Sequence, residues 1–196
     1  MNNTIRNSLI AIAAAAIAGC ATPPPPPAEF VAPDLSGDAI DNLVLLPVVD
    51  HRIDTEKELK LDKWVHNVAE SRLKKSDYVF STESNRDAIA AVTRDGLEEA
   101  DPEMIAEIGP DGSRWVLLLV LQDASSKMTF GSSGGAEMTG YLMDKETNEV
   151  VWRNKEFAEF SMGGLMGMTM KGQMQRGAVE LVTDKVLRVL PERTDD

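Results

Sequence analysis

The sequence predicts one α/β (or α+β) domain, a single domain with a mixed β-sheet flanked by helices, preceded by segments that stay outside it. Three observations carry that expectation. Short apolar runs with strand character alternate with longer amphipathic stretches of helical spacing. The run at 115–121, Trp-Val-Leu-Leu-Leu-Val-Leu, has no polar residue and reads as a central strand buried on both faces. Two alternating segments and one helical segment then close the chain, and no internal repeat interrupts the order.

The first 19 residues read as a processing signal. Arg6 gives a positive start, and residues 9–18 are an apolar run about half the length a membrane span needs. The run ends in Ile17-Ala18-Gly19-Cys20, and Cys20 is the only cysteine of the 196 residues. This pattern resembles the lipobox of bacterial lipoproteins. The resemblance implies cleavage before Cys20, lipid (palmitate among it) on its thiol, and a membrane contact made through that lipid. No other cysteine remains for a disulfide, so the domain must stand on an ordinary core. The net charge is −12, and loss of Arg6 with the signal makes it one unit more negative. An acidic body is repelled by phosphate backbones and anionic lipid, so nucleic acid is discounted as a partner.

Residues 20–42 read as an acylated, Pro-rich tether, residues 43–191 as the domain and 192–196 as a tail. Pro23 to Pro27 favour a stiff polyproline II spacer of roughly 15 Å, and 28–42 read as a mobile continuation. The domain opens with an apolar strand at 43–49, which Pro47 must end, bulge or place at an edge. A helix over 55–74 follows, with Leu61, Trp64, Val65, Val68 and Leu73 near one stripe. A strand is expected at 77–82, then a short helix over 86–93 capped by Asn85. Asp101, Pro102 and Glu103 mark the start of another helix, and Gly109 follows its last apolar residue, Ile108. Segments 136–144 and 149–160 read as a hairpin whose turn places Asn148 at positive φ. The last helix, 175–190, should turn Val179, Val182, Val186, Leu187 and Leu190 inward.

No catalytic constellation is expected. Gly131-Ser132-Ser133-Gly134-Gly135 has the letters of a nucleophile elbow, but strand-like alternation follows it where an elbow needs a helix, so it reads as a hairpin loop. His51 lies just past the first strand, where a cleft could form, and His66 lies on the first helix. Neither has a partner at metal-ligand spacing. Residues 144–149 lack the glycine and spacing of a calcium loop. No cofactor is expected.

The segment most open to function is methionine-rich. Met162, Met166, Met168, Met170 and Met174 hold half of the ten methionines. Three readings stand side by side: an adaptable surface for a partner protein or for self-association, plain apolar packing at i, i+4 spacing, and Cu(I) capture by thioethers, weighed least.

Leu46-Pro47-Val48, the Tyr78-Val79-Phe80 strand, Ile108-Gly109, and Asp144 followed by Thr147-Asn148-Glu149-Val150-Val151-Trp152 also form a pattern. It resembles the envelope lipoproteins grouped with the curli-secretion-channel protein, the lipoprotein activators of penicillin-binding proteins and the TolB N-terminal domain. There the turn commonly reads Thr-Gly-Glu-Val, and here Asn148 replaces the glycine. The resemblance covers 43–190. It implies an α/β domain of the outer membrane that faces the periplasm and works by contact with envelope proteins, activation of a peptidoglycan synthase being a sharper version. Ala21 after Cys20 favours outer-membrane sorting on the same resemblance. The polar segment 125–135 departs from the membrane hairpins of a secretion channel, so a pore is not expected.

Overall fold

In the computed structural model the described residues are 27–52, 59–127, 132–162 and 171–193. The signal peptide, Cys20, most of the proline run, residues 55–58 of the expected first helix, and Met166, Met168 and Met170 lie outside them.

Strand pairing follows from where the apolar residues are continuous and where proline interrupts them. β1 (Phe30–Val31), β2 (Leu43–Leu45), β3 (Val49–Asp50), β4 (Phe80–Thr82), β5 (Trp115–Lys127), β6 (Ser132–Asp144) and β7 (Glu149–Met162) form one mixed sheet. Its order is β1-β7-β6-β5-β2-β4, with β3 also on β5. Pro47 splits the opening strand as expected. β2 pairs parallel with Val116 and Leu117, β3 with Val120 and Leu121; between them Leu46 still donates to the Leu117 carbonyl, and the ladder breaks at Pro47. The second half of the chain is an antiparallel meander of β5, β6 and β7.

Among the described residues four α-helices cover the sheet: α1 (Leu61–Lys75), α2 (Arg94–Glu99), α3 (Pro102–Glu107) and α4 (Lys171–Arg188). Thr93 caps α2 through a bond from the Gly96 amide, and Asp101 caps α3 through the Glu103 amide. Two cores result, one on each face. Leu61, Val65, Ala69 and Leu73 of α1 and Val179, Val182 and Val186 of α4 pack on Leu117, Leu119, Leu142 and Trp152. Leu97, Met104 and Ile105 of α2 and α3, with Ile108 just beyond, pack on Leu46, Val116, Leu118 and Met143. The mixed sheet flanked by helices is therefore as the sequence predicts.

Several boundaries differ. Residues 28–40 are not a free tether: β1 pairs with β7, Ile40 is fully buried, and a β-carbon on Gly37 would overlap the Glu192 carbonyl. The tail contributes through that Glu192 backbone, and just ahead of it the Tyr78 hydroxyl donates to the Pro191 carbonyl. Trp64 leaves its predicted inward stripe: the buried residues of α1 are Leu61, Val65, Ala69 and Leu73 at i, i+4 spacing, and Trp64 lies one residue off that row at its border. The helix over 86–93 shortens to one 3-10 turn, Arg86–Ile89, and α2 follows it, unforeseen because Gly96 lowers its helix propensity. The described parts of the expected loop at 125–135, residues 125–127 and 132–135, are strand, with Ser125 opposite Gly135 and Lys127 opposite Ser133. Small residues there look like a loop, yet they are what allows a helix to lie close on the sheet.

Candidate contact surfaces

That close approach starts from glycine and alanine. Gly134, Ala136, Met138 and Gly140 of β6 face α4. A β-carbon on Gly134 would lie 2.6 Å from the Met174 backbone, and one on Gly140 would lie 2.7 Å from Val186 and 2.9 Å from the Trp152 ring. α4 is then fixed by polar bonds to the sheet: the Gln175 side-chain amide donates to the Ala124 carbonyl (2.7 Å), and that of Asn154 donates to the Val186 carbonyl (3.2 Å). Met174, one of the five methionines singled out, is 1% exposed in this seam. Its thioether belongs to the packing under α4. Met162 closes β7, but its side chain and all of Met166, Met168 and Met170 lie outside the described residues.

The outer sides of α1 and α4 leave a groove of about 660 Å³ between them. Its apolar lining comes from Trp64 and Val68 of α1, Leu181 of α4 and Phe160 of β7. Gly177 lets the Phe160 ring reach α4, since a β-carbon there would lie 2.7 Å from it. Trp64 is 38% and Leu181 42% exposed. The Arg176 guanidinium sits 5.5 Å from the Trp64 ring centre, which fixes the indole at the rim. Arg72 and Asp184 form an ion pair of 3.7 Å along one wall. Large exposed aromatic and aliphatic groups beside arginine match the residue types that carry protein interfaces. Sequence reasoning placed Trp64 inward and so missed this groove; its signal was Trp64 and Leu181 falling outside the tightest stripe of each helix.

A second hollow, about 290 Å³, lies on the opposite face. His51 lines it, so the histidine singled out beside the first strand does stand at a cleft, with Arg94, Glu98, Gln122 and Lys155 around it. Lys155 pairs with Glu137 at 2.6 Å. Tyr141 forms part of the wall, and burial pushes its phenol above the ordinary range although Arg153 acts against this. His66 is not in this hollow; it pairs with Glu70 at 3.4 Å on α1. The Gly-x-Ser-x-Gly letters run into β6, so the strand-to-helix geometry of a nucleophile elbow is absent there. Residues 145–148 form a turn; Arg114 donates from Nε and Nη2 to the buried Asp144 carboxylate, which also accepts the Glu146 amide at 2.9 Å. Asn148 has φ 56°, as the turn demanded.

No protein-family model matches the chain, and no curated protein does. Solved structures do. The fold is similar to PelC from Paraburkholderia phytofirmans, solved as a dodecamer, at 14% identity and a TM-score of 0.51, over 84% of this chain and 96% of that one. Lipoprotein GNA1162 from Neisseria meningitidis matches at 16% identity, TM-score 0.42, over 71% and 99% of the two chains. A minor lipoprotein from Acinetobacter baumannii matches at 10%, TM-score 0.42, over 78% and 98%. At 14% identity the likeness to PelC is one of fold alone. Among the described residues no helix is long and apolar enough to cross a membrane.

Proposed function

We propose that the chain is a lipid-anchored protein of the bacterial outer membrane, facing the periplasm, that acts without catalysis by binding or assembling with envelope proteins. The observation that carries the contact part is the groove between α1 and α4, where Trp64 and Leu181 stand exposed beside Arg176. The anchor part rests on Cys20 at the end of its apolar run. The partner in this reading presents an apolar side chain or helix face that fills the groove. Chemical crosslinking of intact envelopes tests it: the protein captured by the parent chain should be lost from Trp64→Ala combined with Leu181→Ser. Capture unchanged by that pair refutes the groove as the contact.

Self-association is a second reading, favoured by an unpaired sheet edge and in keeping with the dodecameric state of PelC. Copper capture loses Met174 to the core, so a site would have to be built from Met162, Met166, Met168 and Met170 alone. Activation of a peptidoglycan synthase remains the sharper form of the contact reading, testable by adding the purified protein to a glycan polymerisation assay.

A further inference from the structure

β7 is fourteen residues long, and β1 covers only a short part of its outer side: Phe30 lies opposite Arg153 and Val31 opposite Trp152. The chain bends at Glu29, and before it stands Pro27, preceded by four more prolines. Proline has no amide to donate, so β1 cannot be lengthened along β7 by the residues ahead of it. Beyond Arg153 the outer edge of β7 has no strand on it among the described residues.

The direction of its backbone groups is fixed by two bonds. The Ala32 amide donates to the Val151 carbonyl (2.8 Å), and the Lys185 ammonium donates to the Phe157 carbonyl (3.1 Å). Both carbonyls are odd-numbered and point away from β6. Antiparallel alternation then aims the amides and carbonyls of Lys155, Phe157, Glu159 and Ser161 outward as well. Their side chains share the face away from α4 and are exposed, Phe157 by 53%.

We propose that this edge pairs with the same edge of a second copy of the chain, antiparallel about Phe157. The sequence Lys155-Glu156-Phe157-Ala158-Glu159 carries the choice of occupant. Centred on Phe157, the twofold sets Lys155 opposite the partner's Glu159 and Glu159 opposite the partner's Lys155, two ion pairs from one five-residue stretch. Sliding by one hydrogen-bonded step sets Lys155 against Phe157 and leaves Glu159 facing Arg153, whose outer side Phe30 already holds. Sliding the other way sets Glu159 against Phe157 and Lys155 against Ser161. Only the Phe157-centred register matches both charges within 155–159; there it is Ser161, next to the end of β7, that comes opposite Arg153 and must turn aside from Phe30. Glu159 has no ion pair among the described residues, whereas Lys155 leans on Glu137 and can bridge both carboxylates. The Phe157 ring lies over Gly135, where a β-carbon would sit 3.2 Å away, so it is set beside the edge before pairing. The Lys185 ammonium must give up the Phe157 carbonyl for the strands to meet. It guards the edge in the single copy.

This deepens the protein-contact reading and fails separately from it. The test replaces Phe157 by photoreactive p-benzoylphenylalanine in the full chain, expressed and irradiated in whole cells. The expected product is a species of twice the chain's mass that contains only this chain. Lys155→Glu or Glu159→Lys, each placing two like charges opposite one another, should cut its yield about tenfold, and the two together should restore it. Lys185→Ala should raise it. No doubled species, a single swap without effect, a double swap without rescue, or capture of a different protein at position 157 overturns the second-copy assignment. Capture of a different protein would still leave the α1–α4 groove to be judged by its own variants.

Discussion

Asn148 shows how one residue closes the β6–β7 hairpin. Its φ of 56° is in the left-handed region, which costs most side chains about 1–2 kcal/mol and asparagine less. Asn148→Ala should therefore lower stability by about 1 kcal/mol in urea unfolding, while Asn148→Gly should stay within about 0.5 kcal/mol of the parent. Tyr78 ties the C-terminal segment down, its hydroxyl donating to the Pro191 carbonyl. Burial pushes its phenol well above the ordinary value; Arg193 opposes this and Asp38 adds to it. The unfolded phenol ionises near pH 10, so above that the unfolded state sheds a proton the folded state keeps. Stability should fall as pH rises past about 10. Tyr78→Phe should reduce that slope and cost about 1 kcal/mol at neutral pH for the lost bond, both read from unfolding curves at pH 8 to 11.

Among the elements, the seam between β6 and α4 decides the most. Gly140 leaves no room between Val186 and Trp152. Gly140→Val should cost about 1–3 kcal/mol or more by overpacking, and it should change the near-ultraviolet circular dichroism from Trp152. A variant as stable as the parent would mean that α4 can lift off the sheet. This seam also explains what the sequence made legible. Val179, Val182, Val186, Leu187 and Leu190 fell inward as their spacing predicted, and Pro47 and Asn148 acted as their backbone chemistry requires. Periodicity and fixed dihedrals are local, so they can be read from one strand of text. Ser125 to Gly135 misled because small residues serve a loop and a tight helix seat equally well, and only the partner element separates the two. Residues 28–40 misled similarly: their order comes from β7 and the C-terminal segment, contacts more than a hundred residues away in sequence. The groove was illegible because Trp64 sits at the border of its helix stripe, where burial depends on how closely α4 approaches.

For the whole molecule, the question is what force holds it at a membrane. The chain carries net charge −12, which opposes adsorption to an anionic leaflet, and no described helix can span a bilayer. Attachment in the proposed reading must then come from lipid on Cys20. Such a bond is hydrophobic, about 0.8 kcal/mol for each buried methylene, and salt does not screen it. Membranes carrying the parent chain should keep it through washes at high salt and release it only to detergent. Cys20→Ser should move it to the soluble periplasmic fraction or leave it as uncleaved precursor, in either case without acyl chains by mass spectrometry. Release of the parent chain by salt alone would make the attachment electrostatic or partner-mediated. The position of Cys20 would then say nothing about where the protein works.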